Sequence, residues 1–315
     1  MSRLYQYFNN EASLTVIKDN VEYLRLDFHI MKFKGVVSPM ITPAKNGKVD
    51  YNAFRQLIDF LKEENIEGFF PASSTGAFPF LTVEEHREIL RLTRDDVPAG
   101  KYILAGISRN NQADTLSMGK FAADIGMEGI VVVTPYYLKF SQEDLFSYFS
   151  KIAESIDLPI IVYNIPQLTG NEVRSETLSR LMENHSNIVG VKDSSGDMMK
   201  FNKYFIDLPK YASIFQGQDD LLLASMSVGA SGGVCGSSNF SGLIHEVYLK
   251  RKLDAHMKVV KIMELIRKFK FPVSVNYLFS KLILNKVPAG YTLFPLNDLS
   301  RQEEGLLKSA ISKII

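Results

Sequence analysis

The sequence predicts an α/β protein built as a (β/α)8 TIM barrel with a helical extension at its C-terminal end. Three observations lead there. From Gly35 onward one beat recurs about eight times: a short β-branched run, a turn, then a segment of helical spacing. Most of the runs are continuously apolar rather than alternating, as strands covered on both faces require. The chain has 315 residues, 46% of them hydrophobic, which is enough for one large barrel or two ordinary domains with a substantial core. A doubly wound open sheet is the rival arrangement for the same alternation.

Residues 1–33 stand outside the pattern and are read as an N-terminal arm. They are either an added arm or text ahead of a true start at Met31, and Glu11, Lys18, Asp19 and Glu22 deny them the apolar core of a secretory signal. The barrel is expected over 34–252. Its first strand, 35–42, leads to a helix whose stripe of Phe54, Leu57, Ile58 and Leu61 follows Asp50, an N-cap residue. The second strand, 68–73, precedes a capping box of Thr82 and Glu85 ahead of Ile89 and Leu90. Strands follow at 102–107 and 129–134, and then Ser141 caps a helix carrying Leu145 and Phe149. The last four strands fall at 159–164, 188–193, 212–217 and 232–237. After Ser238 the text turns helical, with segments near 253–269, 274–284 and 301–315, read as the last barrel helix followed by a small helical appendage, and the C-terminal helical extension is placed at 253–315.

Composition narrows the function classes. Lys and Arg number 36 against 35 Asp and Glu, so charge gives no reason to expect nucleic acid or an anionic membrane as partner. The longest apolar stretches, 129–135 and 158–165, are too short to cross a bilayer. A single cysteine, Cys235, excludes an internal disulfide framework and fits a reducing cytosol. His29, His86, His185, His245 and His256 are scattered without ligand spacing, so no metal is expected.

In such a barrel reactive groups project from the C-terminal ends of the strands. Those ends offer Ser74 and Thr75, then Thr134, Tyr136 and Tyr137, then Tyr163 with Asn164, Lys192 with Asp193, Gln216 with Asp219, and Cys235 with Gly236. Lys192 closes the run Ile188-Val189-Gly190-Val191-Lys192. Burial disfavours an ammonium ion, and a neutral amine is a nucleophile that condenses with a ketone to a Schiff base. The alternative is a lysine that snorkels to the rim or pairs with Asp193. Tyr163, in Ile160-Ile161-Val162-Tyr163-Asn164-Ile165-Pro166, is either a proton carrier or an aromatic cap on the core. Adjacent fifth and sixth strands bring the two together, which favours the functional reading. The turn Ser73-Ser74-Thr75-Gly76 offers hydroxyls and backbone N–H groups to a carboxylate, or is an ordinary polar turn. The run Gly229-Ala230-Ser231-Gly232-Gly233 lacks neighbouring cations and the P-loop pattern, and reads as a turn into the eighth strand.

Four motifs, Ser74-Thr75-Gly76, Thr134-Pro135-Tyr136-Tyr137, Tyr163-Asn164-Ile165-Pro166 with Thr169-Gly170, and Gly190-Val191-Lys192-Asp193, stand in order and spacing that resemble the pyruvate-dependent class I aldolases. That is the superfamily of dihydrodipicolinate synthase and N-acetylneuraminate lyase, and the resemblance runs from about Lys34 to the C-terminus. It implies a barrel with a helical C-terminal extension, a homotetramer, a 2-keto acid and an aldehyde as partners, and no cofactor beyond an imine on Lys192. By the same resemblance Tyr163 is the proton shuttle, Thr75 and Ser74 hold the pyruvyl carboxylate, and Tyr137 reaches into a neighbouring subunit's site. Ser194 and Asp219 match positions that touch sugar hydroxyls.

The branch is read from departures. Leu168 stands where the synthases carry an arginine for their aldehyde's carboxylate. The sialic-acid lyases have leucine there but keep a Gly-Ser-Thr-Gly-Glu loop, whereas this chain has Ser73 and Ala77 at the ends of that loop. Pro79, Ser274-Val275-Asn276-Tyr277 and Phe294-Pro295-Leu296-Asn297-Asp298 resemble the archaeal 2-keto-3-deoxygluconate aldolases, although Ser73 departs from their usual glycine. The expected reaction is therefore cleavage of 2-keto-3-deoxygluconate to pyruvate and glyceraldehyde. Lys139 is the one cation found for a phosphorylated substrate, and the unphosphorylated sugar acid is preferred. A sialic-acid-type lyase, a dihydrodipicolinate synthase, a keto-deoxy sugar acid dehydratase and a catalytically silent sugar-acid-binding barrel remain as alternatives.

Overall fold

The computed structural model describes residues 33–64 and 66–315. The expected N-terminal arm therefore lies outside the described residues except for Phe33, which is buried with its ring centroid 5.0 Å from that of Tyr102.

Eight parallel strands close into a barrel: β1 (Gly35–Pro39), β4 (Gly68–Phe70), β5 (Tyr102–Gly106), β6 (Gly129–Val133), β7 (Ile160–Asn164), β8 (Ile188–Asp193), β9 (Ser213–Gln216) and β10 (Gly232–Val234), with β10 pairing back onto β1. Every residue of these strands is buried, which explains why the runs read as unbroken apolar text. A two-stranded hairpin of β2 (Ala44–Lys45) and β3 (Lys48–Val49) interrupts the first strand–helix connection. Sequence periodicity cannot see strands of this length.

The helices fall where their caps predict. Asp50 accepts from the Ala53 N–H at the start of α1 (Tyr51–Glu63), whose buried face includes Phe54, Leu57, Ile58 and Leu61. The Thr82–Glu85 capping box opens α2 (Val83–Asp96), and α3 (Gln112–Asp124) follows. Ser141 opens α4 (Gln142–Ser155) in a reciprocal pair with Asp144. A single turn, α5 (Pro166–Thr169), precedes α6 (Ser175–Asn184), α7 (Met198–Asp207) and α8 (Leu222–Ser227). One helix differs from expectation: α9 (Leu243–Lys250) follows the eighth strand before the segment read as the last barrel helix. It is short, opens without a side-chain cap and stops at a left-handed Arg251, so only Glu246 in its first turn and Lys250 in its last mark its boundaries. The C-terminal part then runs through α10 (Leu253–Lys268), α11 (Val273–Leu282) and α12 (Arg301–Ile311). Among the described residues no helix is long and apolar enough to cross a membrane.

Register decides which side chains share a face. Tyr163 lies opposite Lys192, and Lys192 opposite Phe215. These three therefore point to one side of the sheet. Phe70 of β4 meets Tyr163 edge-on, 6.4 Å between centroids, across the barrel, which identifies that side as the interior. The neighbouring row of Asn164, Asp193 and Gln216 faces outward to the helices, where Asn164 reaches Tyr204 on α7 and Gln216 reaches Ser225 on α8.

Candidate active site

Lys192 ends up 3% exposed, with its Nζ 3.8 Å from the centroid of the Tyr163 ring and 5.0 Å from that of Phe70. Among the described residues its amine has no ion pair and no hydrogen-bond partner, and neither does the Tyr163 hydroxyl. The amine thus lies over two aromatic rings, within cation–π range of both. The pairing of Lys192 with Asp193 that the sequence left open does not occur. Adjacent residues of a strand face opposite ways, and Asp193 turns outward to Asn164 Nδ2 (3.1 Å) and to the backbone and hydroxyl of Ser195 (3.0 and 2.9 Å). Burial pushes the Asp193 carboxyl up from its usual range, partly countered by those hydrogen bonds.

Asn164 ties this outward layer together. Its Nδ2 donates to Asp193 and to the Tyr204 hydroxyl, its Oδ1 accepts from Val173 N (3.2 Å), and its carbonyl accepts from Ser194 N (2.8 Å). The ends of β7 and β8 are thereby fixed relative to each other from behind.

The loop after β4 carries Ser74 and Thr75, a few residues beyond Phe70. It is bounded by two alanines in the left-handed region, Ala72 and Ala77, each at φ 53°. Non-glycine residues there cost of order 1 kcal/mol or more and persist only where the surroundings hold them. Ser73 does part of that holding, because its hydroxyl donates to Met40 O (3.1 Å) and accepts from Gly76 N (3.1 Å). Serine in place of the glycine seen in similar loops is thus accommodated by two hydrogen bonds. The hydroxyls of Ser74 and Thr75 have no partner among the described residues, as a carboxylate-binding turn requires.

Tyr137 is not brought to the others. It is 91% exposed, at φ 82°, on the loop after β6. Asn171 holds that loop from the next one. Its Nδ2 donates to Pro135 O (2.8 Å) and Leu138 O (2.7 Å), and its Oδ1 accepts from Phe140 N (2.9 Å). Lys139 Nζ donates to Gly170 O at 2.6 Å. Ser194 is buried, two residues after Lys192. A side chain at 217 would place its Cβ 2.0 Å from Ser194 Oγ, so only glycine fits there. Asp219 is buried with its carboxylate engaged by the turn after β10, accepting from Gly236 N (3.0 Å), Ser237 N (2.8 Å) and Ser237 Oγ (2.6 Å). Burial raises its pKa against those bonds. Cys235 is buried, and desolvation with the nearby Asp219 pushes its thiol well up, so it is an inert thiol in this setting.

Two residues of this site escaped the sequence reading. Phe70 looked like any core residue of a buried strand. Asn171 carries no motif, and its only signal is an amide next to the Thr169-Gly170 pair.

Fold and relatives together define the class of the chain as the pyruvate-dependent class I aldolase superfamily. More narrowly, it belongs to the dihydrodipicolinate synthetase family, whose model matches residues 32–314. It is 38% identical over 261 residues to the 2-dehydro-3-deoxy-D-gluconate/2-dehydro-3-deoxy-phosphogluconate aldolase of Picrophilus torridus, covering 80% of this chain and 96% of that one. It is 32% identical over 287 residues to a 4-hydroxy-tetrahydrodipicolinate synthase of Hydrogenobaculum, covering 89% and 98%. The solved 2-keto 3-deoxygluconate aldolase from Picrophilus torridus matches with a TM-score of 0.79 at 36% identity, over 85% of this chain and 98% of that one.

Proposed function

We propose that this chain is a Schiff-base aldolase that reversibly cleaves 2-keto-3-deoxygluconate to pyruvate and glyceraldehyde. The observation that carries the chemistry is the buried Lys192 amine, without an ion pair among the described residues, set against Tyr163 at the C-terminal end of the barrel. Lys192 adds to the C2 ketone and water leaves, giving an iminium that acts as electron sink. Thr75 and Ser74 hold the keto acid's carboxylate with hydroxyl and N–H groups. Tyr163, relayed through Ser74, takes the proton of the C4 hydroxyl, and the C3–C4 bond breaks with its electrons passing to the iminium. Glyceraldehyde departs, the enamine is protonated at C3, and water releases pyruvate from Lys192. The lysine supplies the electron sink, so this mechanism calls on no cofactor.

The choice of aldehyde rests on Leu168, exposed on α5 where a carboxylated aldehyde needs a cation, and on the aldolase relative. Ser194 meets the sugar hydroxyls, and Asp219 supports that part of the site by fixing the turn after β10. A tetramer in the cytoplasm completes the reading, with Tyr137 extending from each subunit into its neighbour's site. Lys139 already donates to Gly170, which favours the unphosphorylated acid. The second reading, a dihydrodipicolinate-type synthase, draws on relatives of that name.

Borohydride reduction in the presence of pyruvate, followed by peptide mass spectrometry, tests the chemistry. A reduced pyruvyl adduct on Lys192 is expected, and an unmodified Lys192 in folded protein overturns it in favour of a silent barrel. Supplying pyruvate with glyceraldehyde, N-acetylmannosamine or aspartate semialdehyde then identifies the aldehyde by its consumption. A dehydratase instead releases water without a free aldehyde.

A further inference from the structure

The lip between β7 and β8 is closed by side-chain amides. Gln167 on α5 donates through Nε2 to the Ser194 carbonyl at 2.5 Å, and Gln218 donates to the same oxygen at 2.8 Å. Because a carbonyl only accepts, the NH2 end of each amide must point at it. Gln218 is backed by Arg267 of α10, which gives one hydrogen bond to Gln218 Oε1 (3.3 Å) and two to the Asp220 carboxylate (2.7 Å each). The Ser194 N–H is bound to Asn164 O, and its side chain abuts Gly217. Ser194, two residues after Lys192, is thus fixed from three sides. Gln167 is the exposed member of this set, and its Oε1 has no partner among the described residues.

Three cations near the rim, two in loops and Arg267 on α10, are already engaged. Arg109 donates to Leu81 O (2.8 Å), Lys139 to Gly170 O, and Arg267 to Asp220. The residue beside Gln167, Leu168, brings an exposed apolar side chain. What the lip offers an incoming aldehyde is therefore a neutral amide acceptor and hydroxyls.

We infer that Gln167 is a specificity-determining positioning residue. It locks Ser194 through its NH2 group and selects an uncharged, hydroxylated aldehyde over one bearing a carboxylate. The inference rests on the aldolase reading above. It assigns Gln167 to the aldehyde half of the reaction, not to imine formation.

The test uses the full chain and two variants, Gln167→Ala and Gln167→Glu. The second keeps the shape but presents only acceptors to the Ser194 carbonyl. Three quantities are measured: the yield of borohydride-trapped pyruvate adduct, and kcat/KM for condensation of pyruvate with glyceraldehyde and with propanal. Both variants should leave the adduct yield and the propanal value unchanged. Both should lower the glyceraldehyde value about tenfold, mainly through KM, as the loss of one hydrogen bond predicts. Equal losses on both aldehydes, a lost adduct, or an unchanged ratio overturns the inference. The aldolase reading fails on a different measurement: wild-type protein that forms the adduct yet does not consume glyceraldehyde. If the wild type takes N-acetylmannosamine instead, the same variant-to-wild-type ratio against propanal decides the role of Gln167. A wild type that takes only aspartate semialdehyde overturns both.

Discussion

Lys192 stands opposite Tyr163 because β8 carries one extra residue. Ile160 pairs with Ile188, but Ile161 pairs with Gly190, leaving Val189 unopposed. In unbroken register Tyr163 would face Val191, and Lys192 would stand on the other face of the sheet from it. A slip of one residue exchanges the two faces of a strand, so this bulge puts the amine and the phenol on the same, inward side. Gly190, next to the bulge, permits the arrangement, since a Cβ there would lie 2.1 Å from Ser213 O on β9. Gly190→Ala is expected to force β8 from β9, to destabilise the protein by about 1–3 kcal/mol, and to abolish the pyruvate adduct. Denaturant midpoints together with borohydride trapping check this. An adduct formed at wild-type yield would show that the register is not what aims Lys192.

Tyr163→Phe separates the ring from its hydroxyl. The ring remains against the Lys192 amine, so packing and the cation–π contact survive. What is lost is the proton carrier, a function worth roughly 10²–10⁴ in rate. Adduct formation with pyruvate should persist while kcat for aldol cleavage falls within that range. A variant that turns over within threefold of wild type would remove Tyr163 from the proton path.

Asn171→Ala removes the amide that spans the loops after β6 and β7. Four hydrogen bonds go, and the Pro135, Leu138 and Thr169 carbonyls and the Phe140 N–H each lose a partner. The expected loss is about 1–3 kcal/mol of stability. The left-handed Tyr137, held between the anchored carbonyls, should relax with it. If Tyr137 acts in catalysis, kcat should fall to the level of Tyr137→Phe while adduct formation stays intact. Thermal unfolding and steady-state rates on both variants decide the matter. A lower melting point with unchanged kcat would confine Asn171 to a structural role.

The strand–helix beat, the caps at Asp50, Thr82 and Ser141, and the strand-end positions of Tyr163 and Lys192 were all legible, because each depends on residues close in sequence. The unread features depend on pairing between distant segments. Val189 is one more β-branched residue in a buried run, and nothing local marks it as unopposed. Asp193 was open to pairing with Lys192 until strand alternation, fixed by register, turned it to Asn164 and Ser195. Phe70 meets the Lys192 amine from across the barrel, a contact that closure alone creates. Asp219 was matched to sugar hydroxyls, yet its carboxylate is held by a turn that arrives from the eighth strand.

His86 gives the fold a pH signature independent of catalysis. Its imidazole is fully buried on α2, with Nε2 2.7 Å from Gly106 O, so Nε2 carries the proton and Nδ1 is an acceptor without a partner among the described residues. Burial, assisted by the Arg109 charge and opposed by the Gly106 bond, lowers its pKa from 6.5 to about 4. With the folded value below the unfolded one, the unfolded chain binds the proton first as pH falls. The His86 contribution is therefore fully present above about pH 6.5 and is lost progressively down to about pH 4, for a total of about 3 kcal/mol. His86→Gln keeps a donor for Gly106 O but cannot titrate. Between pH 6.5 and 4 the stability of the wild type should fall more steeply than that of the variant by about that amount, with the two curves parallel above pH 7. Parallel curves through the whole range, measured by urea denaturation, would show that His86 is not buried as a neutral ring.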